Sequence, residues 1–139
     1  MQFINHIRTF LQPRHKVDFL SSLPPTVSIL DVGFGNISPC RTKDIFPNCN
    51  YVGLDIGDYN LENTSCADQY LLTTPQNFAN KIAQFSSVFD VVVSSHNLEH
   101  CNERCKVLES MIGALKNEGE MYLSFPCEQS VFFPSREEL

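Results

Sequence analysis

A strand that runs straight into a glycine turn constrains this chain more than any other stretch. Val27 to Asn36 reads VSILDVGFGN, an apolar run ending in Asp31-Val32-Gly33-Phe34-Gly35. Aliphatic residues bounded by glycine read as a buried strand. Gly-x-Gly brings backbone close to a ligand with no Cβ in the way. A hydrophobic strand feeding such a turn and then a helix is how α/β sheets hold nucleotide-like ligands. A dinucleotide fingerprint would place a third glycine at Ser38 and has no acid at Asp31, so this loop departs from it twice.

The remaining chain alternates strand and helix. Residues 3–11 show apolar positions Phe3, Ile4, Ile7, Phe10 and Leu11 on one helical face, ended by Pro13. Residues 16–23 suggest a second short helix or turn, and Pro24-Pro25 force extended backbone. Strand one is expected over Val27 to Val32 and a helix over about Ser38 to Phe46, closed by Pro47. Strand two is expected over Asn50 to Ile56, and its nearly continuous apolar character suits a parallel strand covered on both faces. A loop over 57–68 leads to a short strand, Gln69 to Leu72. Thr74 as N-cap and Pro75 at the first position open a helix carrying Phe78, Ile82 and Phe85. Strand four is expected over Phe89 to Ser94. The next helix carries a stripe of Cys101, Cys105, Leu108, Ile112 and Leu115 and stops at Asn117 to Gly119. Strand five is Glu120 to Phe125, ended by Pro126. This order predicts an α/β three-layer sandwich with a mostly parallel central sheet. An N-terminal helical segment, 1–26, would precede a single domain, 27–139.

Charge and cysteine usage narrow the partners. Ten Lys and Arg against sixteen Asp and Glu leave a net charge of −6, with no basic cluster. A nucleic-acid partner is therefore not expected, nor is an anionic membrane. No apolar run reaches the roughly 20 residues of a spanning helix, and the N-terminus lacks a signal-peptide pattern. A cytoplasmic protein is expected. Cys40, Cys49, Cys66, Cys101, Cys105 and Cys127 are scattered, and free thiols acting as small hydrophobes are expected rather than a disulfide framework. Cys66 and Cys127 would be reactive only beside a group that lowers the thiol pKa, and no basic neighbour in sequence does so.

Polar residues at the carboxyl ends of the strands carry the candidate chemistry. Asp55 ends strand two, twenty-two residues after Gly33. A carboxylate there accepts hydrogen bonds from both hydroxyls of a ribose, the simpler alternative being an Asp that caps the turn at Gly57-Asp58. Ser95 and His96 follow strand four. His96, His100, Cys101 and Cys105 stand at i, i+4 spacings of the kind that hold metals. Cys101 and Cys105 head the apolar stripe, which turns them into the core, and no metal is expected.

ILDVGFGN, YVGLDI, FDVVVSSHNLEH and LKNEGEMYLSFP, in this order and spacing, resemble the successive motifs of class I S-adenosylmethionine-dependent methyltransferases, over about residues 27–126. The resemblance implies a Rossmann-like methyltransferase fold. It also implies S-adenosyl-L-methionine as cofactor and in-line transfer of its methyl group to a small molecule or glycan. Gly33 and Gly35 would then pass close to the methionine portion and ribose, with Asp31 near the amino group. Asp55 would hold the ribose hydroxyls, Ile56 would pack on the adenine, and Ala67 and Asp68 would sit near its edge. Ser95 and His96 would face the sulfonium. His96 is the first candidate for a general base, with Glu99 and His100 as alternatives. The chain departs from the family at Ile37, where the family has a third glycine. The family sheet also continues with two more strands, expected here to be missing or truncated. A sheet edge left bare would favour homo-oligomers. The competing reading is a non-catalytic cofactor-binding or interaction module that keeps the fold, and a weaker one is a nicotinamide-dependent enzyme.

Overall fold

The computed structural model describes residues 15–35, 37–57 and 66–125. The expected helix over 3–11 and everything beyond Phe125, Cys127 included, lie outside these residues. The elements are α1 (Lys16–Ser21), β1 (Ser28–Val32), α2 (Ser38–Ile45), β2 (Asn50–Asp55), β3 (Gln69–Leu72), α3 (Phe78–Ala83), β4 (Phe89–Ser95), α4 (Arg104–Ala114) and β5 (Leu115–Ser124). Single 3-10 turns precede α3 at Pro75–Asn77 and α4 at Leu98–His100.

All strand pairs are parallel, in the order β3-β2-β1-β4-β5. The chain builds outward from β1 to β3, then returns across the sheet to β4. Strand order therefore reverses between β1 and β4, where a crevice opens at the carboxyl ends of such sheets. β3 and β5 form the two edges among the described residues.

Successive side chains of a strand point to opposite faces, and this divides the core in two. Leu30, Val32, Val52, Leu54 and Val92 meet Phe78 and Ile82 of α3 and Val107, Met111 and Ala114 of α4 on one face. Ile29, Tyr51, Val91 and Val93 meet Phe19 and Leu20 of α1 and Phe46 after α2 on the other. The three layers follow from this alternation. α1 shares the second cluster with Val27 and Ile29, so the packing runs unbroken across the boundary expected at residue 26.

Four expectations need correction. The stripe on α4 is turned by one position: Val107, Met111 and Ala114 are buried, whereas Cys105 is exposed and Ile112 is 57% exposed. Cys101 stands in extended backbone ahead of the helix, so it cannot set the helical phase, and one residue rotates the face by about 100°. The reason for excluding a metal at Cys105 therefore fails, although among the described residues no three His, Cys, Asp or Glu side chains are grouped to hold one. The same helix ends at Ala114 rather than at Asn117 to Gly119, because the backbone N–H groups of Ser87 and Val88 donate to its last carbonyls, Gly113 and Ala114. β5 consequently begins at Leu115, with an irregularity opposite Phe89 to Val91 and a left-handed Glu118. Thr74 precedes Pro75 as expected but makes no capping hydrogen bond through its side chain.

The fourth correction concerns the cysteines. Cys40 on α2 and Cys66 before β3 form a disulfide, while Cys49, Cys101 and Cys105 are free. Spatial proximity of two segments 26 residues apart was invisible in their spacing. The pairing overturns the expectation of free thiols at Cys40 and Cys66. Among the described residues, no helix is long and apolar enough to cross a membrane.

Closing a loop of this length restricts the unfolded chain by about 3 to 4 kcal/mol. Cys40→Ala is therefore expected to lower stability by about that amount in chemical denaturation, and dithiol reductant should lower the wild type similarly while leaving the variant unchanged.

Candidate functional site

The glycine turn after β1 is held against the end of β2. The Gly33 N–H donates to the Leu54 carbonyl at 2.7 Å, and the Gly35 N–H donates to Asp55 Oδ2 at 3.1 Å. Both glycines are left-handed, with φ of +76° and +61°, a region that costs other residues about 1 to 2 kcal/mol. A Cβ on Gly33 would lie 2.5 Å from the Asn97 side chain, whereas one on Gly35 would meet nothing within 4 Å. Gly33 is thus fixed by packing as well as by its φ, and Gly35 by its φ alone. Ile37 has φ −102° and ψ −34°, is 55% exposed and lies outside the cavity lining. Its conformation is one any residue adopts, so a third glycine is not needed there.

Asp31 sits behind the turn. Its Oδ2 accepts from Tyr51 Oη at 2.7 Å, Ser38 Oγ at 2.6 Å and the Lys16 ammonium at 3.3 Å. The carboxylate is 1% exposed, and a buried charge of this kind requires such partners. Burial, then the neighbouring Asp31 charge, push the Tyr51 phenol above its ordinary range. Asp31 is not among the residues lining the cavity.

A cavity of about 600 Å³ opens at the carboxyl ends of the strands. It brings together Gly33, Gly35, Asp55, Ile56, Ser95 and His96, six of the residues singled out in the sequence. Asp55 is buried and its Oδ1 accepts the Ile56 N–H at 2.8 Å. Ile56 is half exposed. Ala67 and Asp68 do not join them. Asp68 stands at the amino end of β3, accepting the Tyr51 N–H at 2.7 Å and pairing with Lys43 at 2.6 Å, while Ala67 packs in the α1-side cluster. In a parallel sheet that is the end opposite the cavity. The placement of these two near an adenine edge is corrected accordingly: Pro75, three residues past the other end of β3, lines the cavity instead.

The sequence reading also missed Phe34, Phe78, Asn97, Cys101, Asn102 and Glu103 in the lining. The Phe34 ring covers Gly53, where a Cβ would be 2.7 Å from it. Glycine inside a strand signals such close approach, so Gly53 was the available clue. Asn97 packs on Gly33, and its Nδ2 donates to the Cys101 sulfur at 3.6 Å. Burial pushes the Cys101 thiol up, and an unionised thiol is a poor nucleophile. His96 is left-handed at φ +51°, with its N–H donating to the Ser124 carbonyl at 2.6 Å.

A family profile described as "Methyltransferase domain" matches residues 30–123. The chain belongs to this methyltransferase family. The cofactor of the family is S-adenosylmethionine. The sugar N-methyltransferase KedS8 from Streptoalloteichus shares the fold of this methyltransferase domain with a TM-score of 0.60 at 13% identity, over 95% of this chain and 56% of that one. The [4+2]-cyclase SpnF gives a TM-score of 0.60 at 15% identity, over 75% and 41%. A methyltransferase from Geobacter sulfurreducens, in complex with S-adenosyl-L-homocysteine, gives 0.54 at 15%, over 76% and 44%. The domain spans between 41% and 56% of the length of these three structures. No curated protein matches its sequence.

The lining of the methyltransferase domain fits an adenosyl group. Gly35 leaves open the space a Cβ would fill. Two backbone N–H groups orient the Asp55 carboxylate, which has about four lone-pair sites in all. Ile56 offers an apolar surface beside it.

Two measurements check this geometry. Tyr51 holds its proton in the fold, whereas the unfolded chain ionises near pH 10, so its contribution is complete below about pH 10 and is lost as pH rises beyond that value. Tyr51→Phe should cost about 1 to 3 kcal/mol at neutral pH and flatten the alkaline limb of the stability profile. In thermal melts, Gly33→Ala should destabilise through both strain and the Asn97 clash.

Proposed function

We propose that this domain binds S-adenosyl-L-methionine at Gly35, Asp55 and Ile56 and methylates a small molecule or glycan. The observation that carries the reading is Asp55, a carboxylate held by two backbone N–H groups at the cavity wall beside the open face of Gly35. Its oxygens accept the ribose hydroxyls, and Ile56 packs on the base. Gly33 keeps the turn seated, and Ser95 and His96 line the reacting end. Asp31 acts from behind, bracing the turn rather than touching the ligand. When bound, the cofactor supplies a methyl group on a sulfonium, open to attack in line. The chain then contributes positioning and a dry, shaped wall. His96 accepts the proton that the attacking hydroxyl or amine gives up. The sugar acceptor named for KedS8 supports the small-molecule or glycan class.

Calorimetric titration with S-adenosyl-L-homocysteine tests the reading. The wild type should bind, and Asp55→Ala should weaken binding at least about tenfold, a loss of about 1.4 kcal/mol. A folded wild type that takes up no ligand at millimolar concentration would exclude it. Binding without methyl transfer to any fraction of a cell extract would favour the non-catalytic module.

A further inference from the structure

We propose that Glu99 is a positioning residue: it holds His96 through Nδ1 and turns Nε2 towards the cavity. The inference rests on the reading of His96 as the base. Glu99 lies in the 3-10 turn Leu98–His100, which follows His96 and brings position i+3 back beneath it. Its Oε1 is 3.7 Å from His96 Nδ1 and 3.9 Å from His100 Nε2. The carboxylate is the sheltered member, 21% exposed against 69% and 78% for the imidazoles. Surface ion pairs ordinarily leave both partners in water.

The second oxygen of Glu99 sharpens the point. Oε2 is buried and has no hydrogen-bond partner among the described residues. A buried acceptor left without a donor carries a free-energy penalty. The donors facing this carboxylate are the two imidazoles. Arg104 Nη2 donates to the main-chain oxygen of Glu99 at 3.1 Å, and among the described residues the carboxylate itself pairs only with the two imidazoles. Rotation of the carboxylate presents one oxygen to each ring. His96 is ready for this closure, since its backbone is anchored by the 2.6 Å bond to Ser124 and its exposed ring is free to turn.

The consequence is a choice of tautomer. A neutral imidazole has one N–H and one lone-pair nitrogen, and a carboxylate only accepts. With Glu99 at Nδ1, the proton must sit on Nδ1 and Nε2 carries the lone pair. As the acceptor forms its bond to the methyl carbon and the carbon–sulfur bond breaks, the acceptor's proton passes to Nε2. The resulting imidazolium keeps its Nδ1 proton against Glu99, which stabilises the charge.

Two-bond proton–nitrogen spectra of the full chain, labelled with ¹⁵N-histidine and recorded above the titration range of imidazole, read the tautomer directly. The Nδ1–H form of His96 should exceed the other by about tenfold in the wild type. Glu99→Gln retains an acceptor and should keep this form, whereas Glu99→Leu should revert to the Nε2–H form that free imidazole favours. A wild type in the Nε2–H form overturns the proposal, and that spectrum decides even if Glu99→Leu does not fold. Adding S-adenosyl-L-homocysteine to the same sample separates the two claims: absence of binding with the Nδ1–H form intact sinks the cofactor reading and leaves the role of Glu99 standing.

Discussion

Two hydrogen bonds from the glycine turn to the end of β2 organise this site. Gly33 donates to the Leu54 carbonyl and Gly35 to the Asp55 carboxylate. They can form only because both glycines are left-handed, which folds the loop back over the neighbouring strand. The same fold-back lays Phe34 over Gly53 and seats Asn97 against Gly33. The ends of β1, β2 and β4 are thereby locked together around one cavity. One wall of it is formed by Gly35 and Asp55, and another by the segment from Ser95 to Asn97.

The turn is braced from behind by a buried polar cluster. Asp31, Lys16, Ser38 and Tyr51 join α1, β1, α2 and β2 through a single carboxylate oxygen. Removing one member of such a cluster strands a charge in a place water does not reach. α1 is therefore tied to the sheet energetically as well as by packing. The acid of the DVGFG sequence gathers this buried cluster, while the acid that ends β2 lines the cavity.

Much of this was legible because the relevant signals are local. The apolar runs of β1, β2 and β4, the glycine turn and Pro75 each report on their own few residues, and the boundaries of β1 to β4 and α2 fell close to expectation. The failures share a different origin. Cys40 and Cys66 meet only after β2 has been threaded between them. The phase of α4 depended on whether Cys101 belonged to the helix, and a 3-10 turn decided otherwise. Asp68 was assigned to the wrong end of the sheet because it precedes β3, and in a parallel sheet what precedes a strand lies opposite the cavity. Ile37 looked like a defect in the loop until its backbone angles showed an ordinary conformation.

The fold alone does not dictate the reaction, since functions are grafted onto folds and this architecture also houses a cyclase. The chemistry must be read from Asp55, Ile56 and His96, and above all from the seat of the ligand. A crystal structure of the protein with S-adenosyl-L-homocysteine tests that seat most directly. The ribose hydroxyls should lie within hydrogen-bond distance of the Asp55 oxygens, the adenine against Ile56 and the sulfur towards His96. A ligand bound elsewhere, or one whose ribose avoids Asp55, would contradict the assignment.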